Sequence, residues 1–599
     1  MTGFSVNQFL PANQRGRQRV EFFSTRLFSS FPEASIEGLS KIAGDKKSLT
    51  RSVPGRASAT LAYWYYRQGE FDRARHYVDQ IVLPHFFTGK RELAVKVLRA
   101  QTHAALGSFE PARKLIDEKW PSGPAKQLSM PIRAAILRGQ MDDYSTRPNE
   151  HPILAYLNEQ WRAAGLRQVC IFDESQPFSV ANLAADPKSV STIKPSDRGK
   201  ITVICPVYDV EETLAGMLRG LAEQSYENLE IIIVDDGSTD GTADIAAKIC
   251  AGDKRFRLIR QLKNMGGYVA RNTALAEATG DFVSVQCGDD WSHPDKFACA
   301  IETQMGSDRL YHWAGRLRLT SENRALEVGR SISGLVHEEW PSALMGTDLV
   351  RSMGGWDTTR IAGDTEMHLR INRAHGLARA DTHHVTVRPG LVLSLAAVIE
   401  NSLSYAKRTH VTTIAFGVRQ NYRLMGEVYY NKNSDDLSRR TGVQGALYPV
   451  PGFIRPEREE PTQLKVALVG DFSAPEWNDR IAAMVSALGD QLGVFQYPDF
   501  NAPEPDYAVP YAVCKILMEN GASLLAAGEK VQADRLIVAT THQLPYKLER
   551  SALFTCRSLE FIDARSVTPN EKLLDQLKAN HFVDGGEFQV KRHTDWSAL

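Results

Sequence analysis

The chain has 599 residues, with 71 basic against 71 acidic side chains, 43% hydrophobic and 24% charged. That balance leaves no net field for nucleic acid or an anionic membrane, and the length exceeds what a single core organises, so about three or four domains are expected. Seven cysteines without a Cys-x-x-Cys pair argue against a disulfide framework or zinc site and fit a reducing cytosol. Met1 to Asn7 lacks a charged-then-apolar signal pattern, and the longest apolar stretch, Leu391 to Ile399, is about half of a membrane span. The expectation is a cytoplasmic protein without a membrane span, at most peripheral at the inner face of a membrane.

Residues 1–172 read as helical. Gly69-Glu70-Phe71-Asp72-Arg73-Ala74 is matched by Gly107-Ser108-Phe109-Glu110-Pro111-Ala112, with the two glycines 38 residues apart. Gly-x-Phe-x-x-Ala places a glycine at a helix–helix turn and a small residue where helices cross. The pattern looks like tetratricopeptide repeats, although 38 exceeds their usual spacing of about 34; a weak third copy lies near Leu137 to Met141. An ordinary helical bundle is the plainer alternative. A polar stretch, 173–199, reads as a linker.

Residues 200–430 alternate strands and helices, predicting an α/β domain with a mostly parallel, Rossmann-like sheet. Its strands are Ile201 to Tyr208, Leu229 to Val234 and Asp281 to Gln286, each delivering polar residues at the carboxyl end where open parallel sheets bind ligands. A second linker, 431–463, carries Pro449, Pro451, Pro456 and Pro461. Beyond it, 464–599 reads as a smaller α/β domain. Its predicted strands are Leu464 to Asp471, Val494 to Tyr497 and Leu536 to Thr540, with a helix from Asp479 to Leu492. No phosphate-binding glycine pattern assigns it a role.

Four segments of the central domain carry chemistry. Asp235-Asp236-Gly237-Ser238 offers a carboxylate able to accept from a base N–H on a sharply turning backbone, although Ser238, Thr239 and Asp240 also suit a helix cap. Asn264-Met265-Gly266-Gly267-Tyr268-Val269-Ala270-Arg271-Asn272 lets the chain pass close to a ligand and then presents a helix start and Arg271 to phosphate; a surface salt bridge is the plainer fate of that arginine. Asp289-Asp290 after an apolar strand suits a hard divalent cation, or simply a solvated turn. Asp364 opens a helical pattern after Gly354-Gly355-Trp356-Asp357, and an ionised carboxylate there suits a general base as well as a cap.

In this order the four segments resemble the inverting family 2 glycosyltransferases of the GT-A fold, over Lys200 to Arg370. The resemblance implies that Pro206 and Tyr208 line the nucleotide base and that Asp236 contacts it through a hydrogen bond. It also implies that Arg271 faces the diphosphate, that Asp290 is the principal metal ligand, and that Asp289 serves the ribose or a metal-bound water. Asp364 stands where the family carries its catalytic base, with Gly363 replacing the usual glutamate; Asp209 replaces a usual asparagine. The implied cofactor is Mg²⁺ or Mn²⁺, and the donor a nucleotide-diphosphate sugar. The implied acceptor is a glycan or lipid-linked hydroxyl in surface polysaccharide assembly, with a protein partner for the helical repeats. His383, His384 and His410 have no context that makes them metal ligands. Acceptor contacts are expected from Thr320 to Trp356 and Arg388 to Tyr430; Trp313, Trp340 and Trp356 suit sugar stacking or core packing equally. A non-catalytic nucleotide-binding scaffold is the alternative. A sugar nucleotidyltransferase is disfavoured because Pro206-Val207-Tyr208-Asp209 is no Gly-rich basic loop, and an oxidoreductase because Gly-x-Gly-x-x-Gly is absent.

Overall fold

A computed structural model describes residues 12–28, 31–45, 52–82, 89–120, 122–127, 129–193, 198–307, 309–325, 334–338, 340–377, 384–398, 417–432, 448–458, 460–501, 509–540, 546–548, 551–562, 575, 577 and 589–593. The chain divides into two compact units. One comprises 62–402 and 436–442; the other comprises 1–61, 403–435 and 443–599.

The predicted helix pairs form as Phe71–Asp79 after Ser52–Arg67, and Glu110–Asp117 after Lys90–Ala105; all but residues 52–61 belong to the first unit. Both turns have one construction. Gly69 and Gly107 adopt φ of +75° and +74°, and the residues after them, Glu70 and Ser108, donate backbone N–H groups to Tyr65 O and His103 O, each at 2.9 Å. That is a helix stop requiring a left-handed residue, which glycine supplies without strain. Ala74 and Ala112 are fully buried at the crossings. The third segment is no copy, because Gly139 lies inside the helix Met130–Met141, where its missing Cβ leaves room for the His151 ring.

Within the expected linker 173–199, the described residues 173–193 are packed structure. Val169–Ile171 pairs antiparallel with Leu183–Ala185, and Asn182 ties the intervening turn through its side chain to Asp173 N and O. Gly216 lies so close to Ala181 that a Cβ would meet its carbonyl oxygen at 2.1 Å. The helix Pro152–Ala163 reaches the sheet region through Trp161, whose indole donates to Val392 O at 2.8 Å.

The central sheet contains β1 (Ile201–Val207), β2 (Leu229–Asp235), β3 (Phe256–Arg260), β4 (Phe282–Val285) and the short β5 (Met345–Gly346), in the order β5-β4-β1-β2-β3. The four longer strands are parallel, and β5 is antiparallel to β4. Side chains alternate between two cores. Val203, Cys205, Ile231 and Ile233 face one, and Ile204, Ile232 and Val234 the other, which is why these strands read as unbroken apolar runs. The chain reverses direction of travel across the sheet between β1 and β4, so their carboxyl ends flank a topological switch point. A second sheet follows, ordered His337–Glu338, Gly315–Thr320, Val392–Val398 and Asp290–Ser292.

The other unit holds a six-stranded, wholly parallel sheet. Its order is Ser523–Leu524, Leu492–Gln496, Thr462–Gly470, Lys530–Val538, Leu553–Ile562, Gln589–His593. The predicted strands are present, with Leu553–Ile562 and the two edge strands added. The helix runs over Glu476–Leu488 and stops at Gly489, whose φ is +54°. Two boundaries differ from expectation. Ala12–Leu27 and Pro32–Gly44 group with this sheet, because Phe22 and Phe31 pack edge-on against Phe500 and Arg26 donates to Phe500 O at 2.7 Å. Val418–Lys432 also belongs here, with Asn421 donating to Leu525 O at 2.9 Å.

Candidate active site

The carboxyl ends of β1 and β2 are stitched together by side chains. Asp209 sits at φ +46°, a left-handed position that Asp and Asn tolerate best among non-glycine residues. Its carboxylate accepts from Thr239 N at 2.8 Å, and its own N–H donates to Ser238 Oγ at 3.1 Å. Glu211 accepts from Gly241 N at 2.7 Å, and Val210 N donates to Thr242 Oγ1 at 2.8 Å. Asp240 accepts from Thr242 N at 3.0 Å in the turn that leads into the helix Thr242–Gly252. Pro206 lies past Ile204, the last β1 residue paired with β4, where a missing N–H breaks no ladder on that side. Tyr208 follows, 40% exposed.

Asp236 is turned inward. One carboxylate oxygen accepts from Met265 N at 2.8 Å and the other from Gly266 N at 2.7 Å, at 2% exposure. Burial pushes its carboxyl above the usual range, against the two N–H groups that pull it down. It therefore fixes the 264–266 loop against the β2 turn. Gly237 is required there, at φ +74°, because a Cβ would meet Lys263 C at 2.8 Å. Arg360, absent from the sequence reading, grips the far side of this loop through the side chain of Asn264 and its carbonyl oxygen, the latter at 2.6 Å.

The helix Gly267–Glu277 sets out from this loop and delivers three groups on one turn. Arg271, almost fully buried, forms an ion pair with Asp364 Oδ1. Tyr268 donates its hydroxyl to Asp364 Oδ2 at 2.9 Å and accepts from Asp364 N at 3.3 Å. Asn272 clamps Trp356 from both sides, donating to its carbonyl at 2.7 Å and accepting from its N–H at 2.9 Å. The Arg271 guanidinium lies 4.6 Å from the Tyr268 ring centre and 5.7 Å from that of Trp356. Burial works against its charge, but the adjacent Asp364 carboxylate outweighs burial and holds the guanidinium firmly protonated. Asp364 is the second residue of the helix Gly363–Ala374, which the Glu366–Arg370 pair anchors as Arg370 donates to Gly355 O at 2.7 Å. Asp364, Trp313, Trp356 and His368 share the lining of a cavity of about 20 Å³.

Asp290 opens the strand Asp290–Ser292 and is 4% exposed, with Asp289 more accessible. Ligand atoms of Cys287, Asp289 and Asp290 lie within 4.8 Å of one another. The two carboxylates fit a hard cation such as Mg²⁺ or Mn²⁺, which takes oxygen ligands. The soft Cys287 thiol does not suit such a cation. Arg316 donates to Asp290 Oδ2 at 3.2 Å, so one oxygen already has a cationic neighbour. Arg271 and Asp364 thus meet directly, Asp289 and Asp290 lie side by side, and Asp236 holds the loop that starts the Arg271 helix.

Arg316 and Arg360 escaped sequence reasoning, and Tyr268 and Asn272 were read within their segment without a role. Arg316 had a signal: an arginine alternating with leucines in a strand, Gly315-Arg316-Leu317-Arg318-Leu319, is aimed at something charged. Trp313 and Trp356 are core, at 1% and 3% exposure. His383, His410, the Trp340 side chain and much of the two expected acceptor segments lie outside the described residues.

Glycosyl transferase family 2 matches residues 202–308. Among curated relatives, Glycosyltransferase GlyA of Streptococcus pneumoniae serotype 4 is 43% identical over 96 residues, covering 16% of this chain and 14% of that protein. The putative glycosyltransferase EpsE of Bacillus subtilis is 42% identical over 96 residues, 16% of this chain and 34% of its own. The putative teichuronic acid biosynthesis glycosyltransferase TuaG of Bacillus subtilis is 32% identical over 127 residues, 21% of this chain and 50% of its own. The chain therefore spans half or less of these relatives. Among solved structures, S. aureus TarS 1-349 in complex with UDP-GlcNAc aligns with TM-score 0.30 and 18% identity, covering 39% of this chain and 67% of that one. The mannosyltransferase PcManGT from Pyrobaculum calidifontis, in complex with GDP-Man and Mn²⁺, aligns with TM-score 0.28 and 20% identity, covering 40% of this chain and 66% of that one. The switch-point sheet, the β2 turn and the Arg271 helix all lie inside or beside residues 202–308, the segment that matches glycosyl transferase family 2.

Proposed function

We propose that this protein is an inverting, metal-dependent glycosyltransferase that moves a sugar from a nucleoside-diphosphate donor to an acceptor hydroxyl. The observation that carries the reading is the meeting of Arg271 with Asp364, two residues 93 positions apart. Pro206 and Tyr208, at the carboxyl end of β1, would line the base. Asp289 and Asp290 would hold the cation, which supplies positive charge to the departing diphosphate. Arg271 supplies a second, fixed positive charge, and its buried Nε has no acceptor among the described residues.

Asp364 takes the proton from the acceptor hydroxyl. The hydroxyl oxygen forms its bond to the anomeric carbon as the bond from that carbon to the diphosphate oxygen breaks, and one in-line displacement inverts the centre. A setting in cell-surface polysaccharide assembly is supported by the name borne by the teichuronic acid relative. A location at the cytoplasmic side would follow; no helix among the described residues is long and apolar enough to cross a membrane. The helical turns at Gly69 and Gly107 are proposed to bind a protein partner.

A thermal-shift panel of nucleotide sugars with Mn²⁺ or Mg²⁺ tests the reading, because a bound donor raises the melting temperature. Asp364→Asn is expected to bind the same donor yet transfer about 10²–10⁴-fold more slowly. Near-normal transfer by that variant would remove Asp364 as the base.

A further inference from the structure

Both oxygens of the Asp364 carboxylate are engaged, one by Arg271 and the other by the Tyr268 hydroxyl. A carboxylate oxygen held by a guanidinium is not free to meet an acceptor hydroxyl, and a guanidinium held by a carboxylate is not free to meet a phosphate. The two groups that the proposed reaction needs separately are therefore spent on each other. The Tyr268 contact differs from the arginine contact. Its hydroxyl both donates to the Asp364 side chain and accepts from the Asp364 backbone N–H, and its ring meets Gly363 so closely that a Cβ there would lie 3.0 Å from it. Tyr268 is thereby locked to the start of the Asp364 helix itself, while Arg271 is held only through its guanidinium.

We propose that the Arg271–Asp364 pair is a latch opened by the donor's diphosphate, and that Tyr268 is the positioning residue that keeps Asp364 in place once it opens. The inference rests on the reading of Asp364 as the base. The diphosphate, richer in charge than one carboxylate, draws Arg271 to itself and frees Asp364 Oδ1 to accept a proton. Tyr268 holds Oδ2, so the released side chain does not swing away. No covalent step is added; one anion replaces another on a guanidinium. The consequence is ordered binding, donor before acceptor, and a base that is idle until a donor is seated.

The test uses the full chain with Mn²⁺ and titration calorimetry against UDP, GDP, CDP and ADP, followed by steady-state transfer with the donor that the thermal-shift panel identifies. Asp364→Asn neutralises the competing carboxylate and is expected to bind its nucleoside diphosphate about three- to tenfold more tightly than the native chain. Tyr268→Phe keeps the ring beneath Arg271 and removes one hydroxyl. It is expected to lower kcat about tenfold, the scale of one hydrogen bond to a charged group, with the diphosphate Kd and the donor KM unchanged. Equal or weaker binding by Asp364→Asn overturns the latch. An unchanged kcat in Tyr268→Phe, or a KM that rises in step with the loss, overturns the positioning role. Normal transfer by Asp364→Asn sinks the base assignment instead, and is distinguishable because the binding result is read without catalysis. Failure of all four diphosphates to bind overturns both.

Discussion

Asp236→Asn isolates what the structure says this residue does. The substitution keeps volume and shape but replaces one carboxylate oxygen with an NH₂ group. Whichever way the amide rotates, one of the two N–H donors, Met265 N or Gly266 N, faces another donor in a site only 2% exposed. Stranding a buried donor costs about 1–3 kcal/mol, and the surviving bond, no longer charge-assisted, weakens by about 1 kcal/mol. The loop is therefore expected to open more easily by about 2–4 kcal/mol, or about 30- to 700-fold at 1.4 kcal/mol per decade. Amide hydrogen exchange of the 264–266 segment in the full chain reads that quantity directly. Exchange within threefold of the native chain, alongside a lost nucleotide affinity, would refute the scaffolding role and return Asp236 to a purely ligand-facing one.

Asp290→Asn should lower Mn²⁺ affinity at least tenfold by calorimetry, and chelation should stop transfer until Mn²⁺ is restored; an unchanged affinity would assign the ion elsewhere. Asn272→Ala removes both bonds to Trp356 and should destabilise the first unit by about 2–3 kcal/mol in denaturant melts; a loss below 0.5 kcal/mol would show the clamp to be idle. In the other unit, the bidentate Arg535 contact, at 3.0 and 2.7 Å, holds Glu560 down to about 2 from 4.5. A depressed carboxylate stabilises above its unfolded value and loses that contribution as pH falls through 4.5 towards about 2. Exchange protection across Lys530–Val538 should fall over that window, and Glu560→Gln should flatten the dependence; an identical profile in the variant would assign the acid limb to other groups.

The sequence alone determined the central strands, the order of the four site segments and the residue types at each. Its reasons were local: unbroken apolar runs between two cores, Gly237 where the backbone must turn, and carboxylates at strand ends. The helix pairs at Gly69 and Gly107 were legible on the same grounds, because a left-handed helix stop is written in one glycine. Partners far apart in the chain were not legible. Nothing local to Asp236 says that it spends both oxygens on Met265 and Gly266, and nothing near Tyr268 points to Gly363 and Asp364. Arg316 meets Asp290 because their strands, on either side of Val392–Val398, belong to one sheet. The N-terminal helices read as one domain because amphipathic patterns say that a face is buried, not which surface buries it; Phe22 and Phe31 found a sheet encoded more than 400 residues later. Periodicity fixes the elements, while side-chain contacts at long sequence separation, set only when the sheets close, decide which charges meet.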